Sequence, residues 1–242
     1  MRRWRILCYH FVESEQAHAF AAQLESFRSR GWEFAPFSQC LIERTGQHAF
    51  AWASVSFDDG DRSVCTVAQP LLDRLGIRAI LYVATGAIEA GWTEAGRPAA
   101  TWDDLARWLE AGHEIGSHTH HHVPMTGLSP SQQLEELETS RQIAKRYLGI
   151  NLVHFAYPWG KHDAQTDRWF SAQEQWRSAT TIQRGCNRAG TDPFQLRREV
   201  LEPSWSWTTV CWKLATGYCA PLYRLYRSMR PVPTGLQHRG DR

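Results

Sequence analysis

No stretch of this chain is apolar for long enough to cross a membrane, and none of its six cysteines forms a CxxC pair. The first absence excludes a spanning helix, which needs about 20 consecutive apolar residues. The second argues against a zinc knuckle or a disulfide framework. Cys8, Cys40, Cys65, Cys186, Cys211 and Cys219 follow no regular spacing and read as reduced, mostly buried thiols. An excess of one charge is missing too. Lys and Arg number 27 against 25 Asp and Glu, a formal net charge of +2, so no nucleic-acid partner is demanded. Met1-Arg2-Arg3-Trp4-Arg5 leads into an apolar run too short for a signal-peptide core. A cytoplasmic location is therefore expected, peripheral to a membrane if associated with one at all. The basic residues Arg224, Arg227, Arg230, Arg239 and Arg242 read as a solvated helix face and tail.

What is present is 242 residues, 43% hydrophobic and 21% charged, close to the soluble average and enough for a sizeable core. A single domain over residues 1–230 is expected, with 231–242 as a disordered tail. Short β-rich runs at 4–10, 51–57, 77–84, 114–118, 152–157, 177–181 and 196–202 alternate with helical stretches. That alternation argues for a mostly parallel sheet or barrel, and the near-continuous apolar runs suit strands covered on both faces. Helix ends are marked by Thr101 with Gly112, and by Ser129-Pro130 with Gln132 and Gly149. Pro70 is expected to kink the helix ending at Gly76, and the turn-rich residues 86–100 are expected to form a surface loop.

Three clusters each follow a predicted strand, the edge at which parallel barrels and sheets assemble their sites. In Ser56-Phe57-Asp58-Asp59-Gly60, adjacent carboxylates repel, and a cation on one would leave the other free as a base. A plain acidic turn or helix N-cap accounts for the same residues. In Gly112-His113-Glu114-Ile115-Gly116-Ser117-His118-Thr119-His120-His121-His122, four His fall within five positions. Imidazoles are the commonest metal ligands, and two of them with one carboxylate leave coordination positions open for water and substrate. His113 reads as structural, and His120 and His121 as solvent-facing. In Phe155-Ala156-Tyr157-Pro158-Trp159-Gly160 a strand ends in a rigid turn that suits a pocket wall. Twelve Trp give a weak hint of carbohydrate, since indoles stack on sugar rings as well as fill cores. Trp92, Trp102 and Trp205 are stacking candidates, with core packing the plainer account of each.

In this order the three clusters resemble the polysaccharide deacetylase family, also called the NodB-homology or carbohydrate esterase family 4 domain. Ser56–Gly60 matches its Thr/Ser-Phe-Asp-Asp-Gly motif, His118–His122 its His-Ser/Thr-x-x-His motif, and Pro158-Trp159-Gly160 its Pro-aromatic-Gly motif. The resemblance spans about residues 4–217 and implies a distorted (β/α) barrel with about seven parallel strands. It implies Asp59, His118 and His122 as ligands of one divalent metal per chain, usually zinc, and Asp58 as general base. It also implies Tyr157, Pro158, Trp159 and Gly160 at the substrate. The implied reaction removes N-acetyl groups from an N-acetylhexosamine-containing glycan or glycan precursor, releasing acetate. A cytoplasmic chain would more easily reach a lipid- or nucleotide-linked precursor. Two departures stand out: Ala156 replaces an Arg that orients the base in many members, and no Leu-x-His follows Leu196. The opening Ile6-Leu7-Cys8-Tyr9-His10 resembles the exopolysaccharide-deacetylase branch, whose motif order is permuted, and implies His10 as the general acid. Two His and one carboxylate also describe non-haem iron oxygenases, though position 120 is His where those enzymes carry Asp. A non-catalytic carbohydrate-binding relative is the third reading.

Overall fold

The structure, a computed structural model, describes residues 3–43 and 51–216. The expected tail at 231–242, the last part of the expected domain, Cys219 and the C-terminal arginines lie outside the described residues.

Eight parallel strands form the centre: β1 (Arg3–Tyr9), β2 (Trp32–Phe34), β3 (Ala51–Phe57), β4 (Ala79–Val83), β5 (Glu114–Ser117), β6 (His154–Ala156), β7 (Ser178–Thr180) and β8 (Glu199–Val200). Their order is β7-β6-β5-β4-β3-β1-β8, with β2 pairing the first half of β3. A parallel bridge from Thr180 to Leu196, just before β8, brings the two ends of the sheet together. The expected distorted (β/α) barrel is thus present. β3 matches the expected 51–57 and β1 is displaced by one residue, the strands from β4 onward are shorter than their expected runs, and β2 was not foreseen.

Helices α1 (Ala17–Arg28), α2 (Phe37–Glu43), α3 (Gln69–Arg74), α4 (Thr85–Ala90), α5 (Trp102–Glu110), α6 (Pro130–Leu148), α7 (Ala164–Ser171) and α8 (Trp207–Thr216) follow the strands. Capping boxes start α5 at Thr101 with Asp104, and α6 at Ser129 with Gln132; Gly149 stops α6 in the left-handed conformation. Pro70 lies in the first turn of α3, where it costs nothing, and the irregularity precedes it as a π-helical turn at Val64–Ala68. The expected loop at 86–100 is corrected in part, because its first residues continue α4.

Side chains alternate across each strand with period two. On β1, Leu7 and Tyr9 join the core beneath the helices, whereas Trp4 and Ile6 join the cluster inside the barrel. On β3, Ala53, Val55 and Phe57 face the helices, while Trp52 joins the inner cluster and Ser54 takes a hydrogen bond from Trp4 there (2.9 Å). On β4, Ala79, Leu81 and Val83 lie outward, and Ile80 and Tyr82 inward. The inward rows therefore read Trp4, Ile6, Cys8, His10 on one strand and Trp52, Ser54, Ser56, Asp58 on its neighbour. With Cys8 in register with Ser56, the period carries His10 and Asp58 to the same end of the barrel side by side.

Candidate active site

Asp58 continues the inward row of β3, and its backbone N–H donates to Tyr9 O (3.0 Å), tying the mouths of β1 and β3. Its side chain is almost wholly buried and meets Arg198, itself fully buried, in a two-pronged pair. Arg198 Nη1 donates to Oδ1 at 2.6 Å and Nη2 to Oδ2 at 2.8 Å, while Nε donates to Thr181 O at 2.8 Å. Burial alone would raise the Asp58 carboxyl, but the adjacent guanidinium outweighs it and holds the group below its usual range. Position 156 carries no Arg, and the guanidinium at Asp58 comes instead from the run before β8. Sequence reasoning missed it. Its signal was a charged residue two positions after Leu196, in the same inward row, but Arg197 and Glu199 on either side of it are charged as well.

Asp59 turns the other way, with φ at 72°. Its Oδ1 lies 3.5 Å from His118 Nε2 and 3.3 Å from His122 Nε2. One ligand atom from each of the three lies within 4.8 Å of the others, the single such group among the described residues. The outer nitrogens are occupied: His118 Nδ1 pairs with Ala156 O at 2.7 Å, and His122 Nδ1 with Glu94 Oε2. A carbonyl or carboxylate oxygen only accepts, so each Nδ1 carries a hydrogen and each ring turns its Nε2 towards Asp59. Two Nε2 atoms and a carboxylate oxygen thus converge, a donor set that fits a divalent cation. Burial would lower the pKa of His122, but hydrogen bonds to Asp59 and Glu94 raise it to about 10, a proton standing where the cation would sit. Beside the two imidazoles, Asp59 is held well below the usual carboxylate range despite its burial.

Asp59, Thr119, His122 and Trp159 are the described non-glycine residues with positive φ, at 72°, 64°, 57° and 60°. Each such conformation costs roughly 1–2 kcal/mol, and all four fall on the motif loops. Trp159 sits 5.5 Å, centroid to centroid, from His122 and is 37% exposed. Tyr157 and Pro158 are buried behind it; the Tyr157 hydroxyl donates to Asp167 Oδ1 (3.3 Å) and its ring stacks on His162. Gly160 packs so close to Ile182 that no Cβ would fit.

His10 follows β1, half-buried, close enough to Asp58 and Asp59 to influence both carboxyls. The structure also sorts the other histidines. His113 is a core residue that accepts from Ala79 N–H (3.0 Å) and stacks on Trp108. His120 is not solvent-facing, since its Nδ1 pairs with Thr85 Oγ1 at 2.9 Å. His121 is exposed and pairs with Glu136. Trp102 stacks on Tyr147 and Trp205 lies under Lys213, whereas Trp92 is 60% exposed. No described helix is long and apolar enough to cross a membrane.

The same fold occurs in solved deacetylases. IcaB from Ammonifex degensii superposes with a TM-score of 0.76 at 24% identity, covering 88% of this chain and 97% of its own. Streptococcus pyogenes PplD, a deacetylase solved with acetate, gives 0.76 at 22% identity over 88% and 98%. In sequence, the Bacillus subtilis (strain 168) protein YxkH is 21% identical over 210 residues, 83% of this chain and 72% of its own. The polysaccharide deacetylase profile matches residues 47–175, more than half of the 242 residues. The chain belongs to the polysaccharide deacetylase family and is a hydrolase of N-acetyl amide bonds. The matched stretch holds Asp58, Asp59, His118, His122 and the 158–160 turn; His10 and Arg198 lie outside it. Membership also removes the oxygenase reading.

Proposed function

We propose that the chain removes N-acetyl groups from amino sugars of a glycan or glycan precursor, with one divalent metal, zinc by choice of donors, held by Asp59, His118 and His122. The observation that carries this reading is the division of two adjacent carboxylates. Asp58 is engaged by Arg198 on both oxygens, and Asp59 by two imidazoles. A metal held there would supply Lewis-acid polarisation of the acetyl carbonyl and the attacking water. Asp58 accepts the proton of that water as it adds to the carbonyl carbon. Arg198 keeps Asp58 ionised and aimed. His10 gives a proton to the amide nitrogen as the C–N bond breaks, so acetate and a free amine leave. Trp159 offers its exposed indole to the sugar face, with Tyr157, Pro158 and Gly160 fixing the turn that presents it.

Acetate release from a panel of N-acetylhexosamine glycans, with and without chelator, tests the reading. Asp59→Ala and His118→Ala are expected to lose both metal and activity. Asp58→Asn is expected to keep the metal and lose at least about 100-fold in rate, the usual scale for a general base. Turnover of Asp58→Asn at the parent rate would sink the base assignment, and chelator-insensitive activity would sink the metal. His10→Gln is expected to slow amine departure while leaving metal content unchanged.

A further inference from the structure

The two imidazoles of the triad are anchored differently. His118 turns its Nδ1 to a neutral backbone carbonyl, whereas His122 turns its Nδ1 to the carboxylate of Glu94. The two ring nitrogens of an imidazole point apart, so Glu94 stands on the far side of the ring from Asp59. It cannot share an ion with His122 Nε2. His122 is also the less enclosed of the two, 12% exposed against 2%, and its backbone sits in the left-handed region. It is the ligand that needs an external hold.

Glu94 sits in a tight hairpin. Thr93 N–H donates to Arg97 O (2.8 Å), Gly96 N–H to Thr93 O (2.9 Å), and Trp92 pairs antiparallel with Pro98. Arg97 fastens that hairpin: Nε to Asp61 Oδ2, Nη1 to Glu13 Oε1 (2.6 Å), with the guanidinium 4.2 Å over the Phe11 ring. Asp61 lies two residues from Asp59, so the segment bearing Glu94 is tied to the loop bearing the triad's own carboxylate.

We propose that Glu94 is a positioning residue of the metal site, accepting the Nδ1–H of His122 so that Nε2 is held as the free, more basic donor. Carboxylates in this place behind a ligating histidine change metal affinity by about 10- to 100-fold in other proteins. The proposal rests on the reading of Asp59, His118 and His122 as ligands, and its test separates the two. Zinc affinity of the full chain, stripped of metal, is measured by competition against a chromophoric chelator for the parent, Asp59→Ala, Glu94→Ala and Glu94→Gln. The melting temperature of each metal-free protein is measured alongside.

Glu94→Ala is expected to weaken zinc binding about 10- to 100-fold while the metal-free protein still melts as a folded chain. Glu94→Gln, which keeps an acceptor oxygen but loses the charge, is expected to fall between. Parent-level zinc affinity in Glu94→Ala, with or without a lowered melting temperature, would overturn the proposal, because Glu94 would then only tie the hairpin. If Glu94→Ala fails to fold, Glu94→Gln decides: weakened binding supports the role and parent affinity overturns it. A parent that binds no zinc, or an Asp59→Ala that binds it as tightly, overturns the ligand reading first and Glu94's part with it.

Discussion

Asp58 and Asp59 are neighbours in the chain and opposites in their surroundings. Both are anionic at neutral pH for reasons that differ, a guanidinium for the first and imidazoles for the second. Removing the guanidinium leaves Asp58 buried and unpaired, and burial then raises its pKa without opposition. Arg198→Met is therefore expected to move the acid limb of the kcat/KM profile to higher pH and to lower stability by about 3–5 kcal/mol. Arg198→Lys, with the charge kept and the fork lost, is expected to shift the limb less. A pH–rate profile for both variants checks this, and an unmoved limb in Arg198→Met would refute the role of the pair. Asp58, Asp59, His118 and His122 were legible in the sequence because each motif is local, its residues brought together by one turn. Arg198 was not, because it meets Asp58 from 140 residues away and only after the sheet has curled. Glu94 was hidden in the same sense: nothing in a turn-rich segment says which histidine it will face.

At the level of strands, apolar patterning marked where the chain is buried, which is not the same as where it pairs. Residues 196–202 read as one strand, yet only Glu199–Val200 joins the β1 ladder and Leu196 bridges β7 instead. Trp32–Phe34 is three residues long, too short for its alternation to register. The inward row of β5 is narrower still. Gly116 lies two residues before His118, and a Cβ there would fall against the Tyr82 ring and only 2.9 Å from His154 O. Its backbone is in the ordinary extended region, so the demand for glycine is one of space. Gly116→Ala is expected to destabilise the protein by about 1–3 kcal/mol, as overpacking of a filled interior does. Chemical denaturation measures it. Because His118 shares the strand's inward face, zinc affinity is expected to fall as well; parent-like values of both would show that the inner cluster can yield.

For the molecule as a whole, the order of motifs matters less than the ring they share. β1 lies between β3 and β8, so a histidine at the start of the chain and an arginine near residue 200 flank the same aspartate. The same closure buries two histidines that take no part in the candidate site. His113 stacks on Trp108, and His154 packs edge-on to Phe37 with its Nδ1 2.9 Å from Ser178 Oγ. Burial lowers the pKa of each from 6.5 to about 4. A folded pKa below the unfolded one means that the unfolded chain binds more protons, so stability rises with pH. Their contribution is full above pH 6.5 and is lost as pH falls towards about 4. Complete loss is worth on the order of 3 kcal/mol for each. His122 in the metal-free chain has the reverse sign: its contribution is full below 6.5 and is lost as pH rises through about 10. Glu114, raised by burial, opposes the two core histidines in acid, while the lowered Asp58 and Asp59 act at pH below theirs. Urea denaturation of the metal-free protein is therefore expected to show stability falling steadily from pH 6.5 to 4.5, and His154→Gln to flatten that fall by about half. A His154→Gln curve parallel to the parent's would mean that the imidazole is already charged inside the fold, and the packing against Phe37 would need another account.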